Sequence, residues 1–167
     1  AFINGAWTTM LVAHLGYGGR GLFALDISDP ENFTTSDVMW EFDSNDNAEL
    51  GHVLHSPVIA KLNNGDWGVI FGNGYNSASQ TARLFILNAT DGSVIKIIDT
   101  EVGGGASPNG LAQPFLLDSN NDRIVDIIYA GDLQGNVWKF DMTGNVSNWD
   151  SDFKQGSTPK PMYTATD

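Results

Sequence analysis

The sequence predicts an all-β fold, and within that class part of a β-propeller, on three observations. Glycine is frequent, at 19 of 167 residues, and stretches with helical periodicity are hard to find. Short apolar runs of strand length alternate with turn residues along the whole chain. The chain also repeats itself: LFALDISD (22–29), LFILNATDG (84–92) and VWKFDMTG (137–144) each run apolar and then end in Asp or Asn plus a turn residue. Each of these follows a short β run closed by glycine, namely TMLVAHLGYGG (9–19), GVIFGNG (68–74) and DIIYAGDLQG (126–135). A period of roughly fifty to sixty residues with four antiparallel strands per unit is the signature of a propeller blade.

Taken in order, the first blade part covers 7–42 and closes with the strand VMWEF (38–42). Its innermost strand is missing or reduced to the stretch around Phe2. The second part, 56–99, is complete, with strands at 56–62, 68–72, 83–88 and 94–99. The third, 109–167, opens with NGLAQPFLL (109–117) and ends on KPMYTATD, which has the composition of one more edge strand. Propellers use about four to eight blades around a channel, and an open arc exposes unpaired strand edges. The expectation is therefore a single propeller domain of which this chain supplies about three four-stranded antiparallel blades. The chain starts at Ala1 with no signal-peptide pattern, as expected of an internal piece or a processed chain.

Charge and composition narrow the function. Lys and Arg total 8 against 20 acidic residues, a net charge of −12, which makes nucleic acid and anionic lipid poor partners. The absence of cysteine removes disulfides, zinc-thiolate sites and thiol nucleophiles. No apolar run approaches the roughly 20 residues that a membrane-spanning helix needs.

The segment DSNNDRIVD (118–126) reads as a calcium loop. Asp118, Asn120, Asp122 and Asp126 place oxygen donors at positions 1, 3, 5 and 9, and Ile124 at position 7 adds its carbonyl. Three carboxylates within nine residues repel one another until a cation neutralises them, and oxygen donors without sulfur or imidazole favour calcium over a transition metal. The loop departs from an EF-hand: position 12 is Tyr129, position 6 is Arg123 where glycine normally makes the turn, and the flanks PFLL and IVDIIYAG are strand-like. A calcium loop joining two strands is thus expected, the alternative being an Asx-rich turn without metal.

Other motifs point to structure. Asp43, Asn45, Asn47 and Glu49 also alternate and form a candidate second cation site, against a solvated acidic loop. His52 and His55 stand three apart with no third ligand in view, which favours a structural pair. GYGGRG and VGGGAS resemble phosphate loops in composition, but no helix follows either. Trp40, Trp67, Trp138 and Phe140 are expected to pack between blades. Asn32, Asn88 and Asn145 begin N-x-S/T sequons.

The runs WTTMLVAHLGYGGRGLFALDISDP (7–30), VMWEFDSNDNAELG (38–51), IAKLNNGDWGVIFGNGYN (59–76) and PNGLAQPFLLDSNNDRIVDIIYAGDLQGNVWKFDM (108–142) resemble the C-terminal propeller of the PilC/PilY family, tip-associated adhesins of bacterial type IV pili. The resemblance covers nearly the whole chain, with YAGDLQGNVWKFD its most specific part. It implies a modified seven-bladed propeller whose calcium loop regulates pilus extension against retraction and surface attachment. Its implied calcium ligands are Asp118, Asn120, Asp122, the Ile124 carbonyl and Asp126. It further implies pilus-tip subunits (minor pilins) as partners, contact with host or abiotic surfaces through regions outside this chain, and a location at the surface of a Gram-negative bacterium. No catalytic residue is nominated, since the carboxylates cluster on one turn and no nucleophile–base pair is found. The rival classes are a quinoprotein-type enzyme, which would hold a quinone cofactor in the channel, and a purely adhesive, lectin-like propeller.

Overall fold

A computed structural model describes residues 1–166. It holds sixteen short strands and four single 3-10 turns, arranged as three antiparallel sheets that stack side by side with two small hairpins attached. The all-β expectation therefore holds.

The N-terminal stretch forms a hairpin of its own, β1 (Phe2–Ile3) with β2 (Ala6–Trp7). Its turn, Asn4-Gly5, has positive φ at both residues, the conformation that a two-residue hairpin turn demands and that Asn-Gly supplies. The first blade consequently has three strands, β3 (Met10–His14), β4 (Gly21–Asp26) and β5 (Val38–Asp43). The stretch around Phe2 does not pair with them.

The second blade is the complete one: β6 (Val58–Lys61), β7 (Trp67–Gly72), β8 (Thr81–Asn88) and β9 (Val94–Gly103), paired in sequence order. It is covered on both faces, which is why its central strands read as unbroken apolar runs. Along β8, Phe85 and Leu87 pack with Leu22, Ala24, Trp40 and Phe42 of the first blade. Leu84 and Ile86, on the other face of the pleat, pack with Ile128, Ala130, Trp138 and Phe140 of the third. Phe85 stacks on Phe71 at 5.4 Å and meets Phe42 edge-on at 6.2 Å. Each such side chain, fully buried, stabilises the fold by about 1.5–3 kcal/mol. Trp40 adds a polar tie, its indole N–H donating to the Ala89 carbonyl at 2.9 Å across the blade boundary. The ring lies against Gly92, where a Cβ would come within 2.8 Å of it and where φ is +73°. Trp40, Trp138 and Phe140 are buried between blades as expected, and half-buried Trp67 packs on the same cluster as Trp40.

The third blade contains β10 (Phe115–Leu117), β11 (Ile127–Gly131) and β12 (Asn136–Asp141). Its outer strand is split. β13 (Asp150–Ser151) pairs with Phe140 and Asp141 at one end of β12, and β16 (Tyr163–Thr164), from the expected edge strand, pairs with Asn136 and Val137 at the other. Between them lies a hairpin of β14 (Lys154–Gln155) and β15 (Thr158–Pro159). Among the described residues no helix is long and apolar enough to cross a membrane.

Candidate metal centre

The loop 118–126 joins β10 to β11, whose pairing of Leu117 with Ile127 closes its neck. Its foot is fixed to the second blade. The Val125 N–H donates to the Lys61 carbonyl at 3.0 Å, and the Asn63 amide donates to the carbonyls of Val125 and Met142 at 2.9 and 3.0 Å. Asn63 belongs to NNGDW, the corresponding turn of the second blade, so the plain turn in one blade braces the elaborated turn in the next.

Within the loop the acceptors fold the backbone around themselves. One Asp118 carboxylate oxygen accepts from the N–H groups of Asn121 (2.7 Å) and Asp122 (3.2 Å), and the other accepts from Arg123 (2.7 Å). The Asn120 side-chain oxygen accepts from the Asp122 N–H at 2.9 Å, and Asp122 accepts from Ile124 at 2.8 Å. Asn121 and Arg123 both have positive φ, 64° and 70°, so Arg123 adopts the left-handed geometry that glycine takes most readily. Asp126, 4% exposed, accepts from the Ser119 hydroxyl at 2.6 Å and its N–H at 2.9 Å. Those bonds hold its carboxyl below the usual carboxylate range.

The five residues nominated from sequence therefore share one loop. Asn120 and Asp122 are exposed, Asp118 and Ile124 half-buried, and Asp126 buried at the neck. Among the described residues no three carboxylate or imidazole side chains converge to cation-binding distance. The donor chemistry nonetheless fits a hard divalent ion: an ionised carboxylate offers about four acceptor sites. Asp118 spends three of its own, Asp126 two and Asp122 one.

The alternating segment 43–49 is assembled differently. Asp43 accepts from the Asn45 N–H at 2.5 Å, while Glu49 turns away to accept from the Ser79 hydroxyl at 2.5 Å and to face Arg83 at 3.6 Å. Arg83 in turn pairs with Asp99 at 2.7 Å. GYGGRG forms the β3–β4 turn, and the first glycine of VGGGAS, Gly103, ends β9. His52 pairs with Tyr75 in an isolated bridge and stacks on its ring at 5.2 Å.

Two polar hubs escaped the sequence reading. Asn73 directly follows β7 and is fully buried. Its amide donates to the carbonyls of Glu49 (3.2 Å) and Thr81 (2.9 Å). Its oxygen accepts from the N–H groups of Arg83 and Leu111, both at 3.0 Å. Asp132 directly follows β11 and accepts from the Trp138 indole (2.9 Å) and from the side-chain amides of Asn109 (2.8 Å) and Asn136 (2.9 Å). Burial alone would raise its pKa, but these bonds outweigh burial and lower it. The alignment of GVIFGNG with DIIYAGDLQG placed the two residues in register, and that was the available signal.

Residues 1–164 match the family model of the PilY1 beta-propeller domain. The chain belongs to the PilY1 propeller family. A type IV pilus biogenesis factor PilY1 of Pseudomonas aeruginosa is 43% identical over 159 residues, covering 95% of this chain and 13% of that protein. A PilY1 homolog of Xylella fastidiosa is 39% identical over 99% of this chain and 12% of its own length. The crystal structure of the Pseudomonas aeruginosa PilY1 C-terminal domain superposes with a TM-score of 0.89 and 38% identity, over 100% of this chain and 36% of that one. The chain thus spans about an eighth of the curated PilY1 relatives. Those PilY1 proteins are named as biogenesis factors of a bacterial surface appendage, and the partial propeller expected from the repeats is a PilY1 propeller segment.

Proposed function

We propose that this chain is a non-enzymatic, calcium-binding segment of a type IV pilus biogenesis factor and tip adhesin at the surface of a Gram-negative bacterium. In this reading calcium at the 118–126 loop regulates pilus extension, retraction and attachment. The observation that carries it is the Asp118 carboxylate, which gathers three successive N–H groups and so bends the chain that bears Asn120 and Asp122. Asp118, Asn120, Asp122, the Ile124 carbonyl and Asp126 would hold the ion. Bound calcium supplies two positive charges that offset two of the three carboxylate charges and relieve their mutual repulsion.

The protein's own part is positional. Ser119 fixes Asp126 at the neck, and Asn63 with Lys61 fixes the foot to the second blade. Ordering of the loop is therefore felt at a blade boundary. Extracellular calcium modules bind at about 10⁻⁴–10⁻³ M. A tenfold excess of calcium over Kd stabilises the bound state by about 1.4 kcal/mol, enough to shift a two-state population by roughly tenfold. Pilus-tip subunits are the proposed partners, with attachment made through regions outside this chain.

Calorimetric titration of calcium, with magnesium as control, into the folded chain and its Asp122→Ala variant tests the site. One calcium-selective site, lost in the variant, is the expected result. No heat from the folded chain, or full binding retained by Asp122→Ala, overturns the assignment.

A further inference from the structure

All three histidines of the chain, His14, His52 and His55, gather around the turn after β7, beside Leu111, which bridges Asp132 at the end of β11 opposite the 118–126 loop. His14 closes β3 and accepts from the Gly16 N–H at 3.0 Å, and the Gly16 carbonyl lies 3.3 Å from His52 Nδ1. His55 sits between them and the second blade, on the linker from β5 to β6. Both of its ring nitrogens are sealed from solvent, and neither has a hydrogen-bond partner among the described residues. Backbone groups of Ser56, Leu111 and Gly72 approach the ring without meeting hydrogen-bond geometry.

The ring helps to line an apolar cavity of about 110 Å³ with His52, Leu54, Tyr75, Leu111 and Leu133. Among the described residues no carboxylate lines it. The titratable groups that face His55 are His52 on its own linker, His14 from β3 and Tyr75 from the β7–β8 turn. The nearby linker 110–112 contributes none. Asp132, in the β11–β12 turn, is turned onto Trp138, Asn109 and Asn136. A charge on His55 would therefore meet apolar walls and neighbouring imidazoles, with no compensating anion among the described residues; the backbone groups of Ser56, Leu111 and Gly72 favour the charge, but burial outweighs them.

The linker that carries the ring is free to respond. Among the described residues, Val53–Pro57 makes no backbone hydrogen bond, although Val53 is buried at one end and β6 begins at the other. Its position is set by side chains alone. The walls it rests on are tied by hydrogen bonds between His52 and Tyr75 (2.7 Å), from Gly74 to Leu111 (3.1 Å) and from Leu111 to Asn73 (3.0 Å).

We propose that His55 is an acid-sensitive latch: its neutral imidazole pins the linker between the first two blades into the cavity, and protonation expels the ring and opens this end of the arc. Burial holds the ring below the ordinary histidine range in the closed form, while the opened ring titrates in that range, near 6.5. The closed form is thus fully favoured above about pH 6.5, and each unit of acidification between the two values favours opening by up to tenfold. This device is separate from the calcium loop and does not depend on it.

Hydrogen-exchange mass spectrometry on the intact protein that carries this chain tests the latch, from about pH 7.5 down to about pH 5, the span in which histidine changes charge. Amide protection, corrected for intrinsic rates, is expected to fall at His52, Gly74, Tyr75 and Leu111 as the pH drops. It should stay flat in His55→Leu and fall as before in His14→Gln. Exchange at the imidazole C2 position, read in the unaltered protein, should place the titration of His55 below that of an ordinary histidine. Protection that is independent of pH, a fall that persists in His55→Leu, or a His55 titration at or above the ordinary value overturns the proposal. If the leucine variant does not fold, the C2 titration of the unaltered protein decides alone.

Discussion

Asn73 and Asp132 hold the same place in successive blades, each the residue just after the second blade strand, and each is bonded to the linker between the second and third blades. Asn73 accepts from the Leu111 N–H, and Asp132 accepts from the Asn109 amide. The first blade has Leu15 at this place, after β3, half exposed and without such a tie. The linker at 109–111 is therefore held from both sides, whereas the linker at 53–57 is held by packing.

Replacing Asp132 by alanine leaves the Trp138 indole and the amides of Asn109 and Asn136 without their acceptor. A loss of about 2–3 kcal/mol is expected, since an unmade bond to a buried group costs about 1–3 kcal/mol. Urea unfolding of the two proteins, compared at equal m-value, measures it.

The same carboxylate sets an acid limit. Its folded pKa is depressed, so its contribution to stability is present above the unfolded value of about 3.9 and is lost as the pH falls through the folded one. The stability of the unaltered chain should fall more steeply below about pH 4 than that of Asp132→Asn.

Asn73→Ala removes two donors and a doubly used acceptor from a fully buried position. It should cost about 2–3 kcal/mol by the same reasoning and increase amide exchange at Arg83 and Leu111 selectively. Uniform exchange across the chain would contradict that local role.

Asp122 and Asp126 should separate metal from fold. Asp126→Ala strips the acceptor from Ser119 and is expected to cost about 1–2 kcal/mol without calcium, whereas Asp122→Ala, at an exposed site, should change apo stability by less than about 0.5 kcal/mol. Thermal melts in chelator, repeated with calcium, distinguish the two.

Gly92→Ala drives a methyl group into the Trp40 ring at a residue with φ of +73°. A destabilisation of about 1–3 kcal/mol is expected from overpacking together with the left-handed backbone. Denaturation followed by tryptophan fluorescence reports it, because the disturbed ring is itself the probe.

The fold was legible wherever the repeat was. Strand pairs such as β7 and β8 lie within one unit, and their apolar runs have no other place to go. The split outer strand of the third blade was not legible, because β16 pairs with β12 across a hairpin and only two residues of each take part. Nor was the separation of β1 and β2 from the first blade, although Asn4-Gly5 was a readable turn. At the site, ligand spacing nominated Asp118, Asn120, Asp122, Ile124 and Asp126, but spacing alone does not separate that loop from 43–49. Arg83 and Ser79, distant in sequence, divert Glu49. Asn73 and Asp132 read as ordinary turn residues because their partners come from neighbouring linkers.

The divided edge of the third blade makes residues 152–162 an excursion that leaves β12 and returns to it. Both ends are fastened to one strand; between them β15, with Pro159 buried, rests on β9, while the tip of the hairpin is exposed. The Gln155–Thr158 turn, with Gly156 at positive φ, is accordingly a place where a passenger sequence can be spliced in while β13 and β16 still cap the sheet. A display scaffold needs such a point, and this arc has it on the margin farthest from its first blade.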